Sequence, residues 1–321
     1  MKGNLRENMT MTTYGSDTGL AEAVSWFGYG RMGSAMVERL LAADMPVQVW
    51  NRSLSRLESL TATGATILHS GADATAPVMF SMLADDDALD ALAGSADGPL
   101  RSATPPSVWV DCSTVSVRAS LRAAAAARSA GIAFVCAAVS GNPNVVRAGK
   151  LTFVVSGEPE AVRRVQPLID LIGPTTHHVG TQHQARVVKL CTNAVLASVT
   201  NVLSEVLVVG EKAGVSRADL MRFINDSVLG SPFSRMKTGA FVELDLTPTF
   251  LPEGLHKDVR LMLDTAADNQ VTMPTVAAAE QALTRLIHSG LGRDLDFAAL
   301  LLQAAREAGL EVRPEQSESK E

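Results

Sequence analysis

One stretch of this chain places residues at a spacing that could hold a phosphate. Gly28-Tyr29-Gly30-Arg31-Met32-Gly33 follows the apolar run Val24-Ser25-Trp26-Phe27 and precedes an Ala/Met/Leu-rich helical pattern. Gly28 permits a tight turn off a strand, Gly30 lets the backbone come close to a pyrophosphate, and Gly33 lets the next helix pack on the sheet. The free N–H groups at the helix start, Arg31 and Met32 among them, attract the anion. A second apolar run, Pro46 to Trp50, ends in Asn51-Arg52-Ser53, where such a unit reads the ribose. A carboxylate there would bind a 2′-hydroxyl and repel a 2′-phosphate. Asn51 replaces it, Arg52 offers a charge-assisted fork and Ser53 a further donor, so the expected cofactor is NADP(H). The alternative for Arg52 is a solvated residue opening the next helix.

A second pair of reactive types is Lys189 and Asn193. Four residues apart on a helix, they share one face and converge on the same small volume. An ammonium among Val187, Val188, Leu190 and Cys191 is costly to bury unless its charge has a partner or a task, and lysine shifts its pKa readily on desolvation. Snorkelling to solvent is the competing account.

These groups need elements to position them. Short apolar runs alternate with helical patterns through the first half, giving expected strands near 66–68, 78–82, 108–111, 133–135, 151–156 and 177–179 in a parallel doubly wound sheet. Ligands bind beyond the carboxyl ends of such strands. Met82, Leu83 and Thr114 are therefore candidate cofactor contacts, and Ser140-Gly141-Asn142 a candidate ligand loop. Asp85 and Ser113 serve equally well as cofactor contacts or as helix N-caps. Beyond Gly180 the pattern is helical to the end. Its longest segment, from about Gln184 to Lys212, is apolar on nearly every face and interrupted by Lys189, Asn193, Asn201 and Glu205. Those polar residues argue for a helix buried on several sides and against a membrane span. Its circumference exceeds what one small helical domain can cover, so a homodimer or larger even oligomer is expected.

Composition agrees with two globular domains: 321 residues, 46% apolar and 19% charged. The expected division is a disordered leader at 1–22, an α/β Rossmann-type domain at 23–182, an all-helical domain at 183–312 and a frayed tail at 313–321. Met9 or Met11 could be the native start. A net charge of −6 without a basic run argues against nucleic acid or anionic membranes as partners, leaving a small-molecule substrate. Cys112, Cys136 and Cys191 are odd in number and lie in apolar patterns, so reduced core thiols in a cytoplasmic protein are expected. His177 and His178 alternate across a strand, so a zinc site with His183 is not expected.

Taken together, Gly28 to Gly33, Asp111-Cys112-Ser113-Thr114, Ala138-Val139-Ser140-Gly141, Lys189-Leu190-Cys191-Thr192-Asn193 and Lys257-Asp258 resemble the β-hydroxyacid dehydrogenases, the group of 3-hydroxyisobutyrate dehydrogenases and tartronate semialdehyde reductases. The resemblance runs from about Ala23 to Ala308. It implies that Lys189 is the general acid/base, that Asn193 organises it, and that Ser140, Gly141 and Asn142 hold a substrate carboxylate. It implies further that Lys257 and Asp258 close the site beside the cofactor. Cys136-Ala137-Ala138 and Asn142 depart from the family's Asp-Ala-Pro and second glycine, and His183, Gln184 and Ala185 stand where glycines are common. The rival readings are a reductase of imines or of aldehydes without a carboxylate, which Lys189 argues against, and a catalytically silent NADP-binding module.

Overall fold

The computed structural model describes residues 23–60 and 62–315; the expected leader and the tail beyond 315 lie outside the described residues. The chain opens with β1 (Val24–Phe27), α1 (Arg31–Leu41), β2 (Val47–Trp50), β3 (Thr66–Ile67), β4 (Val78–Ser81) and α2 (Asp86–Gly94). It continues with β5 (Val108–Asp111), α3 (Val117–Ser129), β6 (Ala133–Ser140), α4 (Pro143–Arg147), β7 (Thr152–Ser156), α5 (Pro159–Ile172) and β8 (Thr175–His178). The strands form one eight-stranded sheet in the order β3-β2-β1-β4-β5-β6-β7-β8. Every residue of β1, β4 and β5 is buried, as strands covered by helices on both faces must be. Trp26 stacks on Phe80 with ring centroids 5.4 Å apart, joining β1 to β4 above α1.

The sheet is not wholly parallel. β6 and β7 pair antiparallel, Ser140 opposite Thr152 and Cys136 opposite Ser156. Only residues 141–151, with the short α4, join them, which is too little chain for the crossover that parallel neighbours require. β6 also runs five residues beyond its expected end at Val135. Cys136-Ala137-Ala138 is a poor strand former by propensity, but these positions are buried between two strands, and tertiary pairing overrides propensity.

The second half is helical: α6 (Gln184–Lys212), α7 (Arg217–Asp226), α8 (Pro232–Val242), α9 (Pro252–Asp268), α10 (Pro274–Ser289) and α11 (Leu300–Glu307). α6 packs against β6 and β7 and also against α9, α10 and α11, so it belongs to both layers. By length and composition it could cross a membrane, yet half of its most apolar window is buried inside the fold.

Two expectations fail here. The tail is not frayed through 313–315: the fully buried Arg217 donates to the carbonyls of Arg313, Phe241 and Val242, while Glu315 accepts from the N–H groups of Arg217 and Ala218. A charged chain end is held because a buried guanidinium needs several acceptors. Cys191 is not a core thiol either. Cys112 and Cys136 are buried, but Cys191 is exposed on the outer side of α6, its sulfur 3.9 Å from that of Met262.

Candidate active site

The turn after β1 is built as its glycines require. Gly28 has φ +101, and a Cβ there would meet the Met82 carbonyl oxygen at 2.3 Å; a Cβ on Gly33 would meet the Gly28 oxygen at 2.2 Å. Both contacts exclude any side chain. A Cβ on Gly30, in contrast, would meet no atom within 4 Å. The turn is thus closed toward the protein and open where a pyrophosphate would approach the first N–H groups of α1, including those of Arg31 and Met32. These residues fit a dinucleotide.

The residues read as cofactor contacts separate into two sets. Arg52 and Ser53 stand exposed past the end of β2. Asn51 does not face outward with a free amide: its Oδ1 accepts from Tyr29 N at 2.9 Å and its Nδ2 donates to Ser53 O at 2.9 Å, bracing one loop on the other. The Arg31 guanidinium reaches across to the helical half and donates to the Pro248 carbonyl. Met82 and Leu83 are half-buried, and Leu83 N donates to Ser113 Oγ at 2.9 Å. Asp85 caps α2 by accepting from Ala88 N, whereas Ser113 caps nothing: the cap of α3 is Ser116.

At the start of α6 the two expected catalytic side chains meet. Lys189 Nζ donates to Asn193 Oδ1 at 3.1 Å, and Asn193 Nδ2 donates to Asp258 Oδ2 at 2.6 Å. Asn193 and Asp258 are each 3% exposed. The amide is therefore oriented by a buried carboxylate on α9, which leaves its oxygen for the lysine. Lys257 Nζ lies 2.9 Å from Asp258 Oδ1 as an ion pair, but without hydrogen-bond alignment, so that oxygen has no hydrogen-bond donor. Lys257 Nζ itself donates to the Thr114 carbonyl. Burial pushes the Lys189 ammonium below the usual lysine range; Asp258 opposes the shift, while Lys257 and Arg186 add to it.

The loop after β6 supplies the third side. Ser140 and Gly141 are exposed, and Gly141 takes φ +143. The Asn142 amide oxygen is occupied: it accepts from Asn144 N and Val145 N, capping α4. The carboxylate contact expected of Asn142 is its N–H, which this cap leaves untouched. A cavity of about 260 Å³ opens between α1, α4 and the segment before α9, lined by Arg31, Ser34, Asn142, Arg147, Thr247 and Thr249 among others. Asp296 fixes that last segment by accepting from Thr249 N, Thr249 Oγ1 and Lys237 Nζ at 2.9, 2.7 and 2.6 Å.

One member of this region escaped the sequence reading. Arg186, three residues before Lys189, is 0% exposed and pairs with Asp111 at 2.6 Å. Its signal is present in the sequence, for an arginine between Ala185 and Val187, like Lys189 among its apolar neighbours, needs a buried partner. His183 sits at the N-cap of α6, half-buried, with Nδ1 lacking a partner.

A glycine turn open to a pyrophosphate and a lysine–amide–carboxylate chain at the junction of two layers define a two-domain NAD(P)-binding oxidoreductase. Residues 23–180 match the NAD-binding domain of 6-phosphogluconate dehydrogenase, and 184–304 match the NAD-binding domain of NADP-dependent 3-hydroxyisobutyrate dehydrogenase. Glyoxylate/succinic semialdehyde reductase 1 of Arabidopsis thaliana is 30% identical over 280 residues, covering 87% of this chain and 96% of that protein. The NAD-dependent L-serine dehydrogenase of Pseudomonas aeruginosa is 28% identical, covering 86% and 96%. The Mycobacterium tuberculosis 3-hydroxyisobutyrate dehydrogenase structure with L-serine superposes with a TM-score of 0.80 at 25% identity, covering 88% of this chain and 99% of that one. The chain belongs to the β-hydroxyacid dehydrogenase family, of the 3-hydroxyisobutyrate dehydrogenase type.

Proposed function

We propose that this protein interconverts a short β-hydroxy acid and its semialdehyde with NADP(H), and that Lys189 moves the proton. The observation that carries the reading is the chain Lys189, Asn193, Asp258 beside the Asp111–Thr114 segment. When bound, the nicotinamide supplies or takes up the hydride. In reduction, negative charge grows on the carbonyl oxygen; an ammonium within hydrogen-bond reach stabilises it and then gives up its proton. Asn193 keeps Nζ in one place, and Asp258 keeps Asn193 from turning. Burial brings the lysine closer to a neutral pKa, which suits a group that must release the proton in one direction and take it back in the other. Ser140 Oγ with the N–H groups of Gly141 and Asn142 are the donors for the substrate carboxylate. They lie on a loop, in keeping with ligand contacts positioned by a rigid sheet.

For the nucleotide, exposed Arg52 and Ser53 at the end of β2, with no acid at position 51, support the phosphorylated form. Relatives named for semialdehydes and for serine, itself a β-hydroxy acid, support the substrate class. A lysine at the catalytic position speaks against imine reduction, and an intact Lys–Asn–Asp chain against a silent binding module. The three cysteines, none of them disulfide-bonded, support a reducing, cytoplasmic setting.

Association of two copies fits the outer side of α6. Val195, Val199, Val202, Val206 and Val209 are 62, 37, 47, 40 and 68% exposed, and their alternating spacing of four and three is that of a helix-pairing seam. The test of function is initial-rate turnover of a panel of β-hydroxy acids, semialdehydes and cyclic imines, each with both nucleotides. Fastest turnover of a carboxylate-bearing semialdehyde with NADPH is expected; turnover confined to imines, or to none of the panel, overturns the reading.

A further inference from the structure

Arg186 points into the sheet, and what it meets there is a row of polar groups. The strand register sets Ser81, Asp111, Cys136 and Ser156 side by side across β4, β5, β6 and β7 at the carboxyl end of β5. The first turn of α6 docks on this row at two points. Ala185 N donates to Ser156 Oγ at 3.1 Å, and Arg186 Nη2 donates to Asp111 Oδ2 at 2.6 Å while Nη1 donates to the Ser113 carbonyl. Asp111 is itself immobilised, its Oδ1 accepting from Ser81 Oγ at 2.7 Å and Ser113 Oγ at 2.6 Å. Trp109 Nε1 holds Ser81 in turn, at 2.8 Å.

The consequence is geometric. Lys189 follows Arg186 by less than one turn of about 5.4 Å. Two anchors at consecutive residues fix both the axial position of the helix and its rotation, so the direction in which Lys189 leaves the helix is fixed as well. The same segment receives the other half of the site, because Lys257 donates to the Thr114 carbonyl. Asp111 to Thr114 is therefore the plate on which the nucleotide loop at Leu83, the lysine helix and α9 are all registered.

We propose that Arg186 is a positioning residue of the reaction, its two-pronged contact with Asp111 and the Ser113 carbonyl aiming Lys189 at the reacting oxygen. The proposal rests on Lys189 being the proton donor. Simple adhesion between the layers does not call for this residue: a buried ion pair can be replaced by apolar groups with little loss of stability. What an apolar pair lacks is the fork that fixes an angle. Arg186 also acts through its charge. The groups facing the Lys189 ammonium are Arg186 on its own helix and Lys257 and Asp258 on α9; burial and the two cations lower its pKa and Asp258 raises it.

The test is single-turnover hydride transfer at saturating NADPH and semialdehyde across a range of pH, with the Arg186→Met/Asp111→Asn double variant, Arg186→Lys and Lys189→Ala. The double variant removes the cation without stranding a buried carboxylate. It is expected to bind NADPH within about threefold of wild type, yet to transfer hydride roughly ten- to a hundredfold more slowly, the scale of a small misplacement of a reacting group. Because it removes the Asp111 carboxylate together with the paired cation, its alkaline limb in the reduction direction should move only slightly toward higher pH, so the fall in rate is not a change in the protonation of Lys189. Arg186→Lys keeps the charge and loses one prong, so its limb should stay in place while its rate falls. A folded double variant that overlays wild type in rate overturns the proposal. If the double variant does not fold, Arg186→Lys decides, and a wild-type rate there overturns it equally. Lys189→Ala separates the two claims: a wild-type rate in that variant overturns the role of Lys189 itself, whereas loss of rate there with an unchanged double variant overturns only the positioning role of Arg186.

Discussion

Replacing Lys189 by methionine keeps most of the side-chain volume at a position flanked by buried Arg186 and Leu190 and deletes one ammonium. Without it, no group that donates a hydrogen bond to Asn193 Oδ1 is left to donate to the substrate oxygen, because the Asn193 amide is already committed to Asp258. The proton must then come from water. Loss of a general acid of this kind lowers turnover by ~10²–10⁴, about 3 to 5 kcal/mol of transition-state stabilisation. Stability should respond differently. The lysine pKa is lower in the folded chain than in the unfolded one, chiefly through burial. The sign follows: the unfolded state binds the proton more tightly, so the ammonium penalises the fold below its folded pKa, and the penalty fades as pH rises toward the unfolded value. Methionine removes that penalty but leaves Asn193 Oδ1 without a donor, a loss of roughly 1–3 kcal/mol of opposite sign. Net stability at neutral pH should then stay within a few kcal/mol of wild type, with the variant folded. The assay is stopped-flow decay of nicotinamide absorbance in a single turnover, beside thermal melts. A folded Lys189→Met protein that transfers hydride at the wild-type rate refutes the reasoning, as does one that loses rate only because NADPH no longer binds.

Three further outcomes are expected. Wild-type protein should bind NADPH at least tenfold more tightly than NADH, a difference of about 1.4 kcal/mol, and Arg52→Ala should narrow the gap by weakening NADPH alone; titration calorimetry showing equal affinities in wild type removes the basis for the preference. Asp296→Asn leaves the Lys237 ammonium, 3% exposed, without its counter-ion and should destabilise the fold by about 3–5 kcal/mol in denaturant melts. Burial pushes the Asp296 carboxyl up, but Lys237, Ala298 N and Thr249 outweigh it and hold it below the ordinary value; its contribution is therefore present above the unfolded pKa and disappears as pH falls through the lower folded one, so the variant should lack that acid transition. Val202→Glu puts a charge in the middle of the α6 seam, and light scattering should show a wild-type even oligomer shifting to monomer; a wild-type monomer at micromolar concentration refutes the seam.

What the sequence by itself determined is local. Gly28 and Gly33 were legible because a missing Cβ is a requirement of one turn, and the structure meets both with backbone oxygens where side chains would be. Lys189 and Asn193 were legible because a helix of fixed period brings residues four apart together, whatever surrounds it. The long α6 and the strands before it followed from apolar periodicity. Tertiary structure decided whatever depends on distant partners. The amide oxygens of Asn51 and Asn142 are both taken by backbone N–H groups, Tyr29 in the one case and Asn144 with Val145 in the other, which no local pattern announces. Asp258 stands 65 residues from Asn193, and Arg186 stands 75 from Asp111, so no spacing rule connects them. The turn of β7 against β6 came from a connection too short to cross over, and the exposure of Cys191 from which side of α6 the other helices cover. Periodicity says that a helix has an apolar side; which residues on it meet a charge, a carbonyl or water is set by what folding packs against them.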